Sequence, residues 1–208
     1  MKHWIITLSI LFGLPGLSLA DPATKLQQQW DHDTYQLAGK TQLKAFETLL
    51  QQAEQAKKDF PESAEVWLWS GIIHSSYAGI TGGLGALKHA KAAKADLEQA
   101  IALDSKVWQG AAYTSLGTLY FKVPGWPLGF GDDEQARALL QQGLAMDPRG
   151  IDANYFYADY LLEQKQWQQA KSYLLKAQQA PARDDRPLAD AGRQQQIATA
   201  LQQIAANE

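Results

Sequence analysis

The sequence predicts an all-α protein, a stack of antiparallel helix pairs that share one continuous core. Three observations carry that prediction. Apolar residues recur at spacings of three and four, as in Leu43, Phe46, Leu49, Leu50, Ala53 and Ala56, which places them along one face of a helix. Similar sets of residues then return in order. Ala64, Trp67, Gly71 and His74 are followed by Ala93, Leu97 and Ala100; Tyr113, Leu116, Gly117 and Tyr120 by Ala136, Leu140 and Gly143; Tyr157, Ala158 and Leu161 by Ala170, Leu174 and Ala177. Self-similarity of this kind marks a repeat architecture, in which one helix pair is too small to bury its own apolar face and neighbours must share a core. The third observation is composition: 208 residues, 46% hydrophobic and 20% charged, suit one folded unit and not a disordered chain.

The first 20 residues read as an address. Lys2 and His3 form a basic start, Trp4 to Leu14 an uncharged apolar run, and Ser18-Leu19-Ala20 puts small residues where a signal peptidase reads. The expectation is a signal peptide over residues 1–20, cleaved before Asp21. The apolar run is about half of the roughly 20 residues that span a bilayer. The chain has no cysteine, so neither a disulfide nor a lipoprotein anchor is available. A periplasmic or secreted protein held together by packing is expected.

After Asp21 an amphipathic helix carries Leu26, Trp30 and Leu37 and ends at Gly39, and Thr41 is placed to cap the next, which Pro61 closes. Three further pairs start at Glu62, Lys106 and Ile151. The repeats thus occupy 21–181, and 182–208 form a linker and a last helix. Arg183-Asp184-Asp185-Arg186 reads as a solvated link, and Leu188, Ala191, Ile197, Leu201 and Ile204 mark an end helix that caps the stack. Its apolar surface also offers a way for two chains to pair.

The small residues at the recurring positions resemble those of the tetratricopeptide repeat, in which they let the two helices of a pair approach closely. The family implies a right-handed solenoid, noncatalytic and devoted to contacts between proteins. In a standard repeat the first two small positions lie 12 residues apart; here the separations are 22 for Gly71 and Ala93, 19 for Gly117 and Ala136, and 12 for Ala158 and Ala170. The two central repeats therefore carry about 10 and 7 extra residues, expected as enlarged turns over Tyr77 to Leu87 and Val123 to Gly131 on a common rim. Asn154 and Lys165 depart from the family pattern, replacing an aromatic and a turn glycine. The family's inward-facing positions fall on Leu68, Ile72 and Ser76, on Thr114, Thr118 and Lys122, and on Tyr155, Asp159 and Glu163. This wall is mixed in character, without a basic cluster to clamp a carboxylate. A looser resemblance, to the T component of tripartite ATP-independent periplasmic transporters, rests on the signal, the stretched repeats and the added end helix. It implies association with a solute-binding subunit and passage of an apolar ligand.

Trp126 and Phe130 stand in the second enlarged turn among prolines and glycines. They serve either as anchors for a peptide, a partner protein or a small apolar ligand, or as plugs that fold back beneath the loop. Gly82-Gly83-Leu84-Gly85 ahead of Lys88 is not a phosphate loop, because no strand precedes it and the spacing is wrong. His74 is expected to pack between helices, and Asp132-Asp133 to cap a helix. No nucleophile, base and orienter set, metal motif or cofactor signature appears. The net charge of −3 and the lack of a basic run exclude a nucleic-acid footprint.

Overall fold

The computed structural model describes residues 21–206; the expected signal peptide lies outside the described residues. Among these residues the chain forms nine α-helices: α1 (Pro22–Tyr35), α2 (Gly39–Asp59), α3 (Ala64–Thr81), α4 (Gly83–Leu103), α5 (Ala111–Lys122), α6 (Asp133–Met146), α7 (Ile151–Glu163), α8 (Trp167–Gln178) and α9 (Pro187–Ala205). A 3-10 turn, Val107–Gly110, leads into α5. Helices α1 to α8 pack as four sequential pairs, and each pair rests on the next.

Several helix ends follow from local chemistry. The Asp21 carboxylate accepts from the Thr24 amide and Pro22 opens α1; the Ser63 hydroxyl accepts from the Val66 amide at the start of α3. Asp132 accepts from the amides of Glu134 and Gln135, as the capping reading anticipates. Thr41 is no cap, because α2 begins two residues earlier at Gly39, which takes a φ of +58°. The last turn of α1 is closed instead by Gln42, whose Nε2 donates to the carbonyls of Asp33 and Thr34 at 3.0 and 3.3 Å. Lys165 adopts a φ of +58° where the family places glycine. Asn154, buried at the start of α7, donates from Nδ2 to the carbonyls of Pro148 and Gly150, so the missing aromatic is replaced by a polar clasp.

The small residues do what the repeat requires. Ala93, Ala100, Ala136, Ala158, Ala170 and Ala177 are all fully buried at helix crossings. The extra residues of the two central repeats are used differently from one another. The first set forms no open loop: α3 continues to Thr81, α4 starts at Gly83, and only Gly82, with Gly83 behind it, makes the turn. Both glycines hold φ near +60°, a conformation that costs most other residues about 1–2 kcal/mol. The run of residues from Trp67 to Ala78 and from Ala86 to Ala100 has helix-forming composition on both sides, so lengthening the hairpin meets less resistance than opening a loop.

The second set is a true loop, braced from within. The Gly131 amide donates to the Pro124 carbonyl at 3.0 Å, those of Leu128 and Gly129 to Gly125 at 3.1 Å, and that of Asp132 to Tyr120 at 2.9 Å. A Cβ at Gly129 would stand 3.4 Å from Leu87 Cδ1, so the loop rests on the start of α4. The two insertions do meet on one rim.

Helix α9 caps the stack by packing on α8 and α7, but it also reaches α1 at the opposite end of the chain. The helices that open each pair, α1, α3, α5 and α7, thus form a ring that α9 completes. In the link before α9, Asp184 and Asp185 are exposed, as a solvated link requires, but Arg186 is buried and its guanidinium donates to both oxygens of Asp31, at 2.5 Å from Nη2 and 3.2 Å from Nε. The same guanidinium lies over the Trp30 and Trp69 rings. Two charges removed from water are retained only when paired and hydrogen-bonded, and here each supplies the other. Gly192 sits directly against the Tyr35 ring, where a Cβ would come within 2.1 Å of Cδ1.

Gly192→Ala is therefore expected to lower stability by about 1–3 kcal/mol in urea denaturation, as overpacking does. Gly79→Ala, in a helix where an added Cβ meets nothing within 4 Å, should raise it by a few tenths to about 1 kcal/mol.

Candidate binding site

Ring closure leaves a half-open cavity of about 250 Å³, and every helix of the ring contributes to its wall. Trp30 from α1, Trp69 from α3 and Trp108 from the 3-10 turn form an aromatic chain along one side, with centroid separations of 5.8 and 5.2 Å. Trp30 Nε1 donates to the Ser76 hydroxyl at 2.8 Å, which in turn donates to the Ile72 carbonyl. Trp69 Nε1 is buried and has no acceptor among the described residues. Trp108 and Gln109 both hold left-handed backbone, with φ of 45° and 52°. Two such residues in succession cost about 1–2 kcal/mol each and are sustained by the packing of Trp108 on Trp69.

Beside the tryptophans the wall is ionic. Asp152, at the start of α7, accepts from Arg193 Nε at 2.8 Å and Arg183 Nη1 at 2.7 Å, and Arg183 also binds Asp190. Burial opposes the charge on Asp152, but Arg193, Arg183 and Arg186 together outweigh it and hold the carboxyl well below the usual carboxylate range. Arg193 is pushed up in turn by Asp152, against its own burial, and its guanidinium lies 4.4 Å from the Tyr155 and Phe156 rings. Asp147, which also faces the cavity, is raised by burial. A basic cluster thus does stand on the concave side. It comes from α9 and its link, outside the repeat positions from which the wall is read in the sequence.

The residues expected on that wall divide by depth. Ile72, Ser76, Thr114 and Thr118 line the cavity. Leu68, expected beside them, is fully buried among the core residues of α3, α4 and α5 and has no surface left for a ligand. Lys122 is engaged by Asp159 at 3.1 Å and Glu163 at 2.9 Å, so these three bridge α5 to α7. Tyr155 and Asp159 line a separate hollow beside α9, with Thr34 and Gln195 among its other residues. In the rim loop the two aromatics part: Phe130 folds inward, edge-on to Tyr120 at 5.5 Å, whereas Trp126 is 90% exposed and Leu128, not singled out in the sequence, 71%. Only a placed loop separates them, since both aromatics stand among the same glycines and prolines in the sequence.

A second polar cluster ties α2 to the long hairpin. Lys57 Nζ lies 2.9 Å from both Glu54 and Asp96, and Asp96 also accepts from Ser70 at 2.6 Å. His74 is buried there, with Nε2 3.0 Å from Glu54 and Nδ1 3.2 Å from His89 Nδ1. Glu54, His74 and Asp96 approach one another closely enough to share an ion, but the Lys57 ammonium already supplies the cation they face. The cluster is accounted for as the packing role expected of His74.

Asp152→Asn should cost on the order of 3 kcal/mol at pH 7, since it strands paired arginines. A carboxyl with a depressed folded pKa stabilises above its unfolded value of about 3.9 and loses that contribution as pH falls. The variant's thermal stability should accordingly fall less than the parent's between pH 5 and pH 2.

Comparison with family models finds no match, and comparison with curated proteins finds none either. Solved structures do match. TTC0263, a thermophilic TPR protein of Thermus thermophilus, superposes with a TM-score of 0.58 at 14% identity, covering 87% of this chain and 97% of that one. MamA gives 0.48 at 16% identity over 78% and 88% of the two chains, and yeast Tom70 0.46 at 17% over 87% and 40%. The fold is thus all-α and similar to that of tetratricopeptide-repeat structures, with its helices packed in sequential pairs.

Proposed function

We propose that the protein is a noncatalytic binding protein, acting outside the cytoplasm once residues 1–20 are removed, and that it takes a polypeptide partner on the rim loop 123–131. The observation that carries this reading is the exposure of Trp126 at 90% and Leu128 at 71% on a loop that is itself ordered by backbone hydrogen bonds. Large side chains left in water on a mobile segment have little meaning. On a braced segment they form a preorganised patch, which lowers the entropy lost on association. Tryptophan is among the residues that dominate interface energies. Phe130 and the Gly129 contact with Leu87 fix the base of the loop, so the exposed pair is presented at a constant angle. The tetratricopeptide-repeat architecture, typically a scaffold for contacts between proteins, supports the same reading.

A photocrosslinking residue at position 126 is expected to give one reproducible polypeptide adduct, whereas one at the exposed Phe60, between α2 and α3 at the other ends of the helices, gives none. Trp126→Ala should weaken capture of that partner about thirtyfold, the effect of a hot-spot residue, at unchanged thermal stability. Equal adducts at both positions, or undiminished capture by the alanine variant, would remove the loop from the interface. Sequencing of the N-terminus of exported protein checks the proposed cleavage before Asp21.

A further inference from the structure

Two histidines meet across the long hairpin. His74 on α3 and His89 on α4 bring their Nδ1 atoms to 3.2 Å, with the rings centred 5.4 Å apart. The other nitrogen of His74, Nε2, stands 3.0 Å from Glu54. Burial opposes the charge on Glu54, but His74 and Lys57 outweigh it and hold the carboxyl below its ordinary value. A carboxylate only accepts, so His74 carries a proton on Nε2. One further proton then lies between the two Nδ1 atoms: His89 donates it when both rings are neutral, and it is still single when one ring is charged. With both rings charged each Nδ1 bears a hydrogen, and two N–H groups confront each other at hydrogen-bond distance.

The surroundings favour the same limit of one charge. Besides Glu54, the groups facing the pair are Asp96, 4.0 Å from His74 Nε2, and Lys57, 2.9 Å from both carboxylates. Tyr77 is edge-on to His89 at 4.6 Å, and the exposed Glu47 lies beyond its hydroxyl. Glu54 and Asp96 against Lys57 leave one negative charge, which one charged ring cancels. A second makes the cluster positive, next to Lys88. Burial, then His74 and Lys88, hold His89 below its ordinary value.

Of the described residues between the pair and the turn at Gly82, only Ala78 is buried, so this end of the hairpin has little packing of its own. The rim loop rests on the same end, through Leu87, two residues from His89. We propose that His74 and His89 form an acid-sensitive latch, which closes the outer end of the hairpin while at most one ring is charged; the second charge releases His89, frees Leu87 from beneath Gly129 and loosens the rim loop. A histidine whose folded pKa lies below its unfolded value of about 6.5 binds fewer protons folded than unfolded. Its contact is therefore fully stabilising above that pH and loses its contribution as pH falls. Control of binding by the latch rests on the rim loop being the binding surface; the latch itself does not.

Heteronuclear NMR of the labelled protein between about pH 7.5 and pH 4.5 tests the latch without any partner. His89 is expected to titrate with a midpoint below about 6.5, and the amide signals of Leu128, Gly129 and Gly131 to move with that midpoint. His89→Gln keeps a hydrogen-bonding side chain that does not titrate; it should leave those signals in place at neutral pH and abolish their movement. Lys88→Gln, at an exposed position, should shift the His89 and loop midpoints upward together. Capture by a photocrosslinking residue at position 126 should fall severalfold on acidification of the parent and hold constant in His89→Gln. Loop amides that ignore pH, that still move in His89→Gln, or that part from the His89 midpoint in Lys88→Gln would overturn the latch. Capture indifferent to pH while the amides move would overturn its control of binding, whereas the absence of any adduct would remove the rim loop as the binding surface and leave the latch to be decided by the amides alone.

Discussion

The ion pair between Arg186 and Asp31 is the interaction on which the rest of this architecture depends. A repeat solenoid is ordinarily open, each pair touching only its neighbours, so that its two ends never meet. Here residues 155 positions apart in the chain share a buried bidentate contact, and the ends of the stack are joined. The pair alone is weak ground for stability, because desolvation offsets much of what the two charges gain. Its effect is geometric: once Asp31 is buried beneath α9, leaving Arg186 anywhere else would strand an unpaired carboxylate. Tyr35 against Gly192 and the guanidinium over Trp30 and Trp69 reinforce the same contact.

Closure divides the molecule into an inside and an outside with different chemistry. The inside holds a chain of tryptophans, an arginine cluster neutralised mostly by Asp31, Asp152 and Asp190, and backbone strain at Trp108 and Gln109. The outside gathers both insertions on one rim, where a tight glycine turn ends the long hairpin and a braced loop lifts Trp126 and Leu128 into solvent. The extra residues of the first insertion support the second, since the start of α4 carries Leu87 beneath Gly129. A longer hairpin is thus the platform for a shorter loop.

Much of the fold is legible in the sequence because its cause is local or periodic. Helix pairs follow from apolar spacing, their close crossings from alanine and glycine at fixed offsets, and helix starts from Asp21, Ser63 and Asp132. What escapes is long-range. Nothing near Arg186 distinguishes it from the solvated arginine of an ordinary link, and its partner lies in the first helix. The cavity tryptophans are equally opaque: Trp30, Trp69 and Trp108 belong to different elements and read as separate core residues until the ring closes. Leu68 and Ile72 are one helical turn apart on α3, yet the first faces α4 and α5 in the core and the second the cavity, a difference of depth that periodicity does not encode. The turn at 77–87 misleads for a simpler reason, since glycine-rich composition suits an open loop and also a tight turn between longer helices.

The closed ring is tested most directly by a distance between α1 and α9. Spin labels on cysteines placed at the exposed Gln28 and Gln195 need no background substitution, as the chain has no cysteine, and pulsed electron resonance then reads their separation. The account predicts a single narrow distance distribution that broadens and lengthens when Arg186→Gln releases the contact. A broad distribution in the otherwise unaltered protein, or one indifferent to that substitution, would contradict closure by the Arg186 and Asp31 pair.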